Sequence, residues 1–220
     1  MSEPPRPTVT LKLATSLDGK IALGDGRSKW ITGPEAREAV HHMRAAHDAV
    51  LTGVGTVLAD DPQMTARPGG APSEHQPLRA VMDSRLRTPA DCALLKAGPA
   101  TLFHAKTDTD AQALSSNGAR LVAVETDGAG RASLTAALRA LFEDGVRSLM
   151  IEAGGTLAGA AVREGLVDRI EWFRAPTLIG GDGRPCVAAL GLESLGAAPI
   201  FTRVSVREAG ADLWETYERG

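Results

Sequence analysis

The 220-residue chain carries 24 Lys and Arg against 27 Asp and Glu, a formal net charge of −3, with 43% hydrophobic and 23% charged residues. That balance excludes a fully disordered chain and a bulk phosphate-backbone binder, while leaving room for a local basic patch. Three Trp, one Tyr and four Phe are too few for a stacking platform along a nucleic-acid strand.

Cys92 and Cys186 form no C-x-x-C, which excludes a zinc ribbon or a dithiol redox motif. The sparse cysteines, the lack of an apolar leader and the lack of an uncharged run of about 18 residues predict a cytoplasmic protein without a membrane span. Residues 1–7 read as a Pro-rich disordered tail, and 8–220 as a single domain. Val9 to Leu13 alternates as a strand does, Asp18-Gly19 signals a turn, and Lys20 to Leu23 reads as the return strand. Thr32 and Glu35 have capping-box spacing and Pro34 suits a first turn, so a helix is predicted to start there. On it Ala36, Val40 and Met43 form an apolar ridge beside a basic ridge of Arg37, His41 and Arg44.

Residues 48–52 are a short strand of buried type running into Gly53-Val54-Gly55-Thr56 and then Asp60-Asp61-Pro62. A loop over 68–77 precedes a strand over 78–82 that ends at Asp83-Ser84. Strands are predicted at 100–104 and 121–124, around a helical stretch near 109–116. The clearest helix is 134–144, where Leu134, Ala137, Leu138, Leu141 and Phe142 share a face, Ser133 caps the start and Gly145 the end. Ser148 to Ile151 is a continuous run typical of a strand buried on both faces. Glu152-Ala153-Gly154-Gly155 then leads into a helix over 156–164, and 169–174, 200–206 and 212–217 read as strands. The alternation predicts a three-layer α/β fold with a mixed, partly antiparallel edge.

In such a sheet, ligands favour the carboxyl ends of the strands. The turn from Glu152 to Ala160 suits an anion approaching glycine backbone at a helix N-terminus, or else a tight turn packed under a neighbour. Asp60 or Asp61 can accept a bond from a sugar hydroxyl or assist a proton transfer, or simply cap the next segment. Arg44 and Arg67 offer charge-assisted donors to a phosphate dianion, or belong to a solvated basic face. Trp30 is a core or rim residue, or a contact for a bound ring. The five histidines show no metal grammar, and the zinc-deaminase, nucleophile-elbow and P-loop patterns are absent. No metal is expected.

Taken together, five blocks resemble the riboflavin-pathway pyrimidine reductases. They are Lys12-Leu13-Ala14-Thr15-Ser16-Leu17-Asp18-Gly19-Lys20-Ile21-Ala22, Ser28 to Arg37, Gly55 to Pro62, Val81 to Ser84 and Glu152 to Leu157. The resemblance implies a dihydrofolate-reductase-like fold with a mainly parallel central sheet and an antiparallel C-terminal edge. It also implies NADPH-dependent reduction of the ribose of a ribosylamino-pyrimidine 5′-phosphate to the ribityl form. Ala14, Trp30, Thr56, Asp60, Ser84 and the turn Gly154, Gly155, Thr156, Leu157, Ala158, Gly159 and Ala160 match cofactor-contacting positions. Ser28, Arg44, Met64, Arg67 and Glu152 match substrate-contacting positions, and Lys12 a lysine facing the sugar. Lys12, Asp60 and Glu152 are therefore the catalytic candidates.

Arg85 and Arg87 are candidate partners for a 2′-phosphate. Relatives are usually fused behind a zinc deaminase; with no zinc-site spacing here, that half is expected to be missing and a separate deaminase to act in the pathway. A homodimer is expected by family similarity. Two other readings remain open from the sequence: a dihydrofolate or pterin reductase on the same fold, and a non-catalytic NADPH-binding module.

Overall fold

Strands that are apolar at every position need cover on both faces, and this requirement sets the architecture. A computed structural model describes residues 5–29, 31–106 and 111–220. Trp30 and residues 109 and 110 of the predicted helical stretch lie outside the described residues. In chain order come β1 (Thr8–Thr15), β2 (Lys20–Ala22), α1 (Pro34–Ala46), β3 (Ala49–Gly53), α2 (Val54–Asp60) and β4 (Leu78–Met82). Next are α3 (Ala93–Lys96), β5 (Ala100–His104), α4 (Gln112–Ser116), β6 (Ala119–Ala123), α5 (Leu134–Glu143) and β7 (Ser148–Glu152). The chain closes with α6 (Gly155–Arg163), β8 (Arg169–Arg174), β9 (Arg184–Pro185), β10 (Phe201–Ala209) and β11 (Asp212–Arg219).

Among the described residues, nine strands form one sheet in the order β10-β11-β8-β1-β7-β3-β4-β5-β6. From β8 to β6 the neighbours are parallel, and β11 and β10 add the predicted antiparallel edge. Val9, Leu11, Leu13, Ala49 and Leu51 turn to one face and pack under Leu134, Ala137, Leu138 and Leu141 of α5 and Ala158, Ala161 and Val162 of α6. Val50, Val81, Leu102 and Met150 turn to the other, under Val40 and Met43 of α1, Val57 of α2 and Leu94 of α3. The period-2 alternation of the strands thus builds the three predicted layers. Ser133 caps α5 as expected, its side chain accepting the Ala136 N–H.

Two local expectations are corrected. The return strand over 20–22 does not pair with β1, because β1 is flanked by β7 and β8 and offers no free edge; β2 pairs with β9 instead. Thr32 is not the helix cap. Gly33 is, without a side-chain cap, and its N–H donates to the Asp212 carboxylate at 2.6 Å. The stretch after Gly53 is the helix α2, because burial of Val54 and Val57 at i, i+3 outweighs the poor helix propensity of Gly55. Arg6, in the Pro-rich tail, makes a bidentate pair with Asp168 at 2.6 and 2.7 Å. No helix among the described residues is long and apolar enough to cross a membrane.

Candidate active site

Parallel register brings the chemistry together. In the β1–β7 pairing Lys12 sits opposite Glu152, so an ammonium midway along β1 meets the carboxylate that ends β7. From above, α1 contributes Arg44, whose Nε and Nη2 donate to the two Glu152 oxygens at 2.7 and 2.9 Å. Lys12 Nζ stands 4.0 Å from Glu152 Oε2. The three side chains are only 11–17% exposed. Burial alone would push the Glu152 carboxyl up, but the Arg44 guanidinium and its hydrogen bonds, with Lys12, outweigh it and bring it down to about 2. Burial pushes the Lys12 ammonium down; Glu152 opposes this and Arg44 adds to it, and the net direction is down. Two cations against one carboxylate leave the site one positive charge in excess, suited to an anionic substrate.

This cluster lies in a cleft of about 960 Å³, a volume typical of small-molecule sites. The wall includes Lys12, Ala14, Ser28, Arg44, Thr56, Asp60, Met64, Ser84 and Glu152, together with Gly154, Gly155, Thr156, Leu157 and Ala160. Ser28 Oγ reaches Asp60 Oδ1 at 3.4 Å across the cleft mouth. Ser84 Oγ accepts the Ala132 N–H at 2.9 Å, which brings the 125–133 loop alongside. Arg44 therefore leaves the solvated-face reading behind: it is a buried cation pinned at three points, the third being its Nη1 bond to the Thr65 carbonyl at 3.0 Å.

Some expected members stand elsewhere. Arg67 is not among the residues lining the cleft; its guanidinium turns to Gln63 Oε1 and to Thr65 Oγ1. Ala158 is fully buried in the core, and Gly159 packs against Ala188, so neither forms cleft wall. Arg87 lines the cleft and Arg85 does not. Trp30 lies outside the described residues.

The glycines of the turn divide into two roles. A Cβ on Gly154 would meet nothing within 4 Å, so this N-cap of α6 stays open to a ligand, and no side chain caps it. A Cβ on Gly155 would fall 2.4 Å from the Pro185 carbonyl oxygen, and one on Gly159 3.1 Å from Ala188 backbone. Those two glycines admit the 185–188 segment, whose Ala188 N–H donates to the Gly155 carbonyl at 2.9 Å. Gly155→Ala is accordingly expected to destabilise the fold by about 1–3 kcal/mol through overpacking, while Gly154→Ala stays within a few tenths; denaturant midpoints of the two variants check this. Sequence reasoning missed Arg184, Pro185 and Ala188 as cleft wall. The Gly155 and Gly159 pair, one helical turn apart, was the available signal of a close backbone approach.

The profile of the RibD C-terminal domain family matches residues 7–214. The chain belongs to this family. RibD of Escherichia coli is 36% identical over 218 residues, covering 94% of this chain and 58% of that protein. The 2,5-diamino-6-ribosylamino-4(3H)-pyrimidinone 5′-phosphate reductase of Archaeoglobus fulgidus is 35% identical over 189 residues, covering 83% of this chain and 86% of that one. Acinetobacter baumannii RibD superposes with a TM-score of 0.86 at 32% identity, over 98% of this chain and 58% of that one. The chain thus spans little more than half the length of the bacterial RibD proteins. All three residues of the Lys12–Glu152–Arg44 cluster fall within the matched segment.

Proposed function

We propose that the protein is a pyrimidine reductase of riboflavin biosynthesis. It would reduce the ribose of a ribosylamino-pyrimidine 5′-phosphate to the open-chain ribityl form with NADPH. The observation that carries this reading is the buried Lys12–Glu152–Arg44 cluster with its net positive charge, set beside an uncapped helix start in one cleft. A nicotinamide dinucleotide fits that cleft. Gly154 presents open backbone for a pyrophosphate at the α6 N-terminus, and Thr56, Asp60 and Ser84 offer hydroxyls and a carboxylate along the wall. Arg87, on the wall, is the candidate partner for a 2′-phosphate, which supports NADPH over NADH; Arg131 beside it is ion-paired with Asp127 at 2.8 Å.

When bound, the nicotinamide supplies a hydride to C1 of the ribose. The remaining chemistry falls to the protein. Arg44 fixes Glu152 as an ionised carboxylate, which accepts bonds from the substrate's hydroxyls or ring nitrogens. Lys12, its ammonium made more acidic by burial, would donate a proton to the ribose ring oxygen as the bond from C1 to that oxygen breaks and the amine nitrogen forms a C=N bond to C1. Ser28 and Asp60 hold the sugar or ring at the mouth. The one positive charge that the cluster carries in excess, with Arg67 on the segment that Arg44 holds, attracts the phosphate dianion.

The test is to offer the purified protein the phosphorylated uracil and diaminopyrimidinone substrates, each with NADPH and with NADH, and to follow cofactor oxidation. Oxidation of NADPH dependent on either pyrimidine phosphate is expected. Oxidation with dihydrofolate in place of both would overturn the assignment.

A further inference from the structure

One face of α1 grips the chain after α2 at regular intervals. Glu38 Oε1 accepts the Gly69 N–H at 2.6 Å, His41 Nδ1 accepts the Arg67 N–H at 3.2 Å, and Arg44 Nη1 donates to the Thr65 carbonyl at 3.0 Å. Side chains three residues apart on the helix thus fasten alternate residues, 65, 67 and 69, of the segment that enters the short 3-10 turn Pro68–Gly70. Between them Ala66 points the other way, where the Gln76 amide holds both its N–H and its carbonyl, at 2.9 and 2.7 Å. Met64 opens the segment in a left-handed conformation (φ 56°), which local preference disfavours for this side chain, so the fastening must hold it.

We propose that His41, on the cleft wall, is a positioning residue for the substrate's phosphate end: as a neutral imidazole it clasps the Arg67 backbone behind that wall and sets this cation, and protonation unfastens it. The inference rests on the reading of the cleft as a phosphorylated-sugar site. Of the three fasteners, only His41 is itself an imidazole; Glu38 Oε1 also meets His42 Nε2 at 3.1 Å, a contact common to wild type and the His41 variants. An imidazolium has no acceptor left for the Arg67 N–H. The charged groups around the ring are Glu38 and Arg44 on its own helix, Arg67 on the clasped segment and Glu152 on β7. Partial burial, Arg44 and Arg67 keep the ring neutral, outweighing the Thr65 carbonyl and Glu38, which favour the proton. The clasp is therefore closed at neutral pH and opens on acidification.

The test needs no turnover. Affinity for ribose 5-phosphate is titrated calorimetrically from about pH 8 to about pH 5, with Arg67 amide exchange followed in parallel. His41→Asn places a non-titrating acceptor where Nδ1 stands, and His41→Leu removes the acceptor. Because the ligand's own phosphate titrates, the quantity read is the difference between wild type and His41→Asn. Wild type is expected to lose about tenfold more affinity than His41→Asn over this range, the equivalent of one hydrogen bond. Arg67 amide protection should fall in wild type only, and His41→Leu should bind weakly throughout. Superimposable pH curves for wild type and His41→Asn, wild-type affinity in folded His41→Leu, or no binding of ribose 5-phosphate to wild type would each overturn the proposal. A wild type that binds ribose 5-phosphate but turns over no pyrimidine would sink the reductase reading alone.

Discussion

Lys12→Met is expected to lower kcat by about 10²–10⁴-fold at saturating substrate, the usual contribution of a positioned acid. Methionine keeps the length and the apolar stem of lysine while removing the proton. The Arg44–Glu152 pair that remains is neutral as a unit and still bidentate, at 2.7 and 2.9 Å, so the fold has no reason to fail. Rapid-mixing turnover with both substrates saturating separates the chemical step from binding. If Lys12 only neutralised Glu152, KM would change and kcat would not. A full wild-type kcat in Lys12→Met would assign the proton to another donor.

Arg44→Met carries the second large effect, on stability. The substitution leaves the Glu152 carboxylate buried with its nearest cation, Lys12, at 4.0 Å. Breaking a buried pair in this way costs about 3–5 kcal/mol. The Thr65 carbonyl loses its donor as well. The double variant Arg44→Met/Glu152→Gln should recover part of that loss, since no unpaired charge is then left behind. Chemical denaturation of the two single variants and the double variant measures the coupling directly. The same pair gives the wild type an acid limit. Glu152 is held at about 2 against an ordinary 4.5, so its contribution is fully present above pH 4.5 and drains away as the pH falls toward 2. Arg44→Met should lack that dependence across this window.

Much of the layer plan was legible in the residues. Ser148 to Ile151 reads as a strand buried on both faces, and it lies inside the sheet as β7; Leu134 to Leu141 repeats at helical spacing, and it covers the sheet as α5. Glu152 and Lys12 each end or interrupt an apolar strand, which marked them out singly. Their meeting was implied only by the family resemblance, because strand register is a long-range property that neither local pattern carries. Arg44 looked like one member of a basic helix face; only the docking of α1 over β7 turned it inward onto Glu152. The pairing of β2 with β9 was hidden for the same reason, since the turn at Asp18-Gly19 predicts a hairpin and says nothing of β1 already having two neighbours. His41 carried no signal beyond its place on the ridge, as its partner is a backbone N–H 26 residues away.

The central claim is that this cleft directs reduction to the sugar carbon of a phosphorylated ribosylamino-pyrimidine. The direct measurement uses NADPH with both C4 hydrogens of the nicotinamide replaced by deuterium, with the product examined by NMR. One deuteron is expected at C1 of a newly formed ribityl chain. Deuterium in the pyrimidine ring, or an unlabelled sugar after the cofactor has been oxidised, would contradict it.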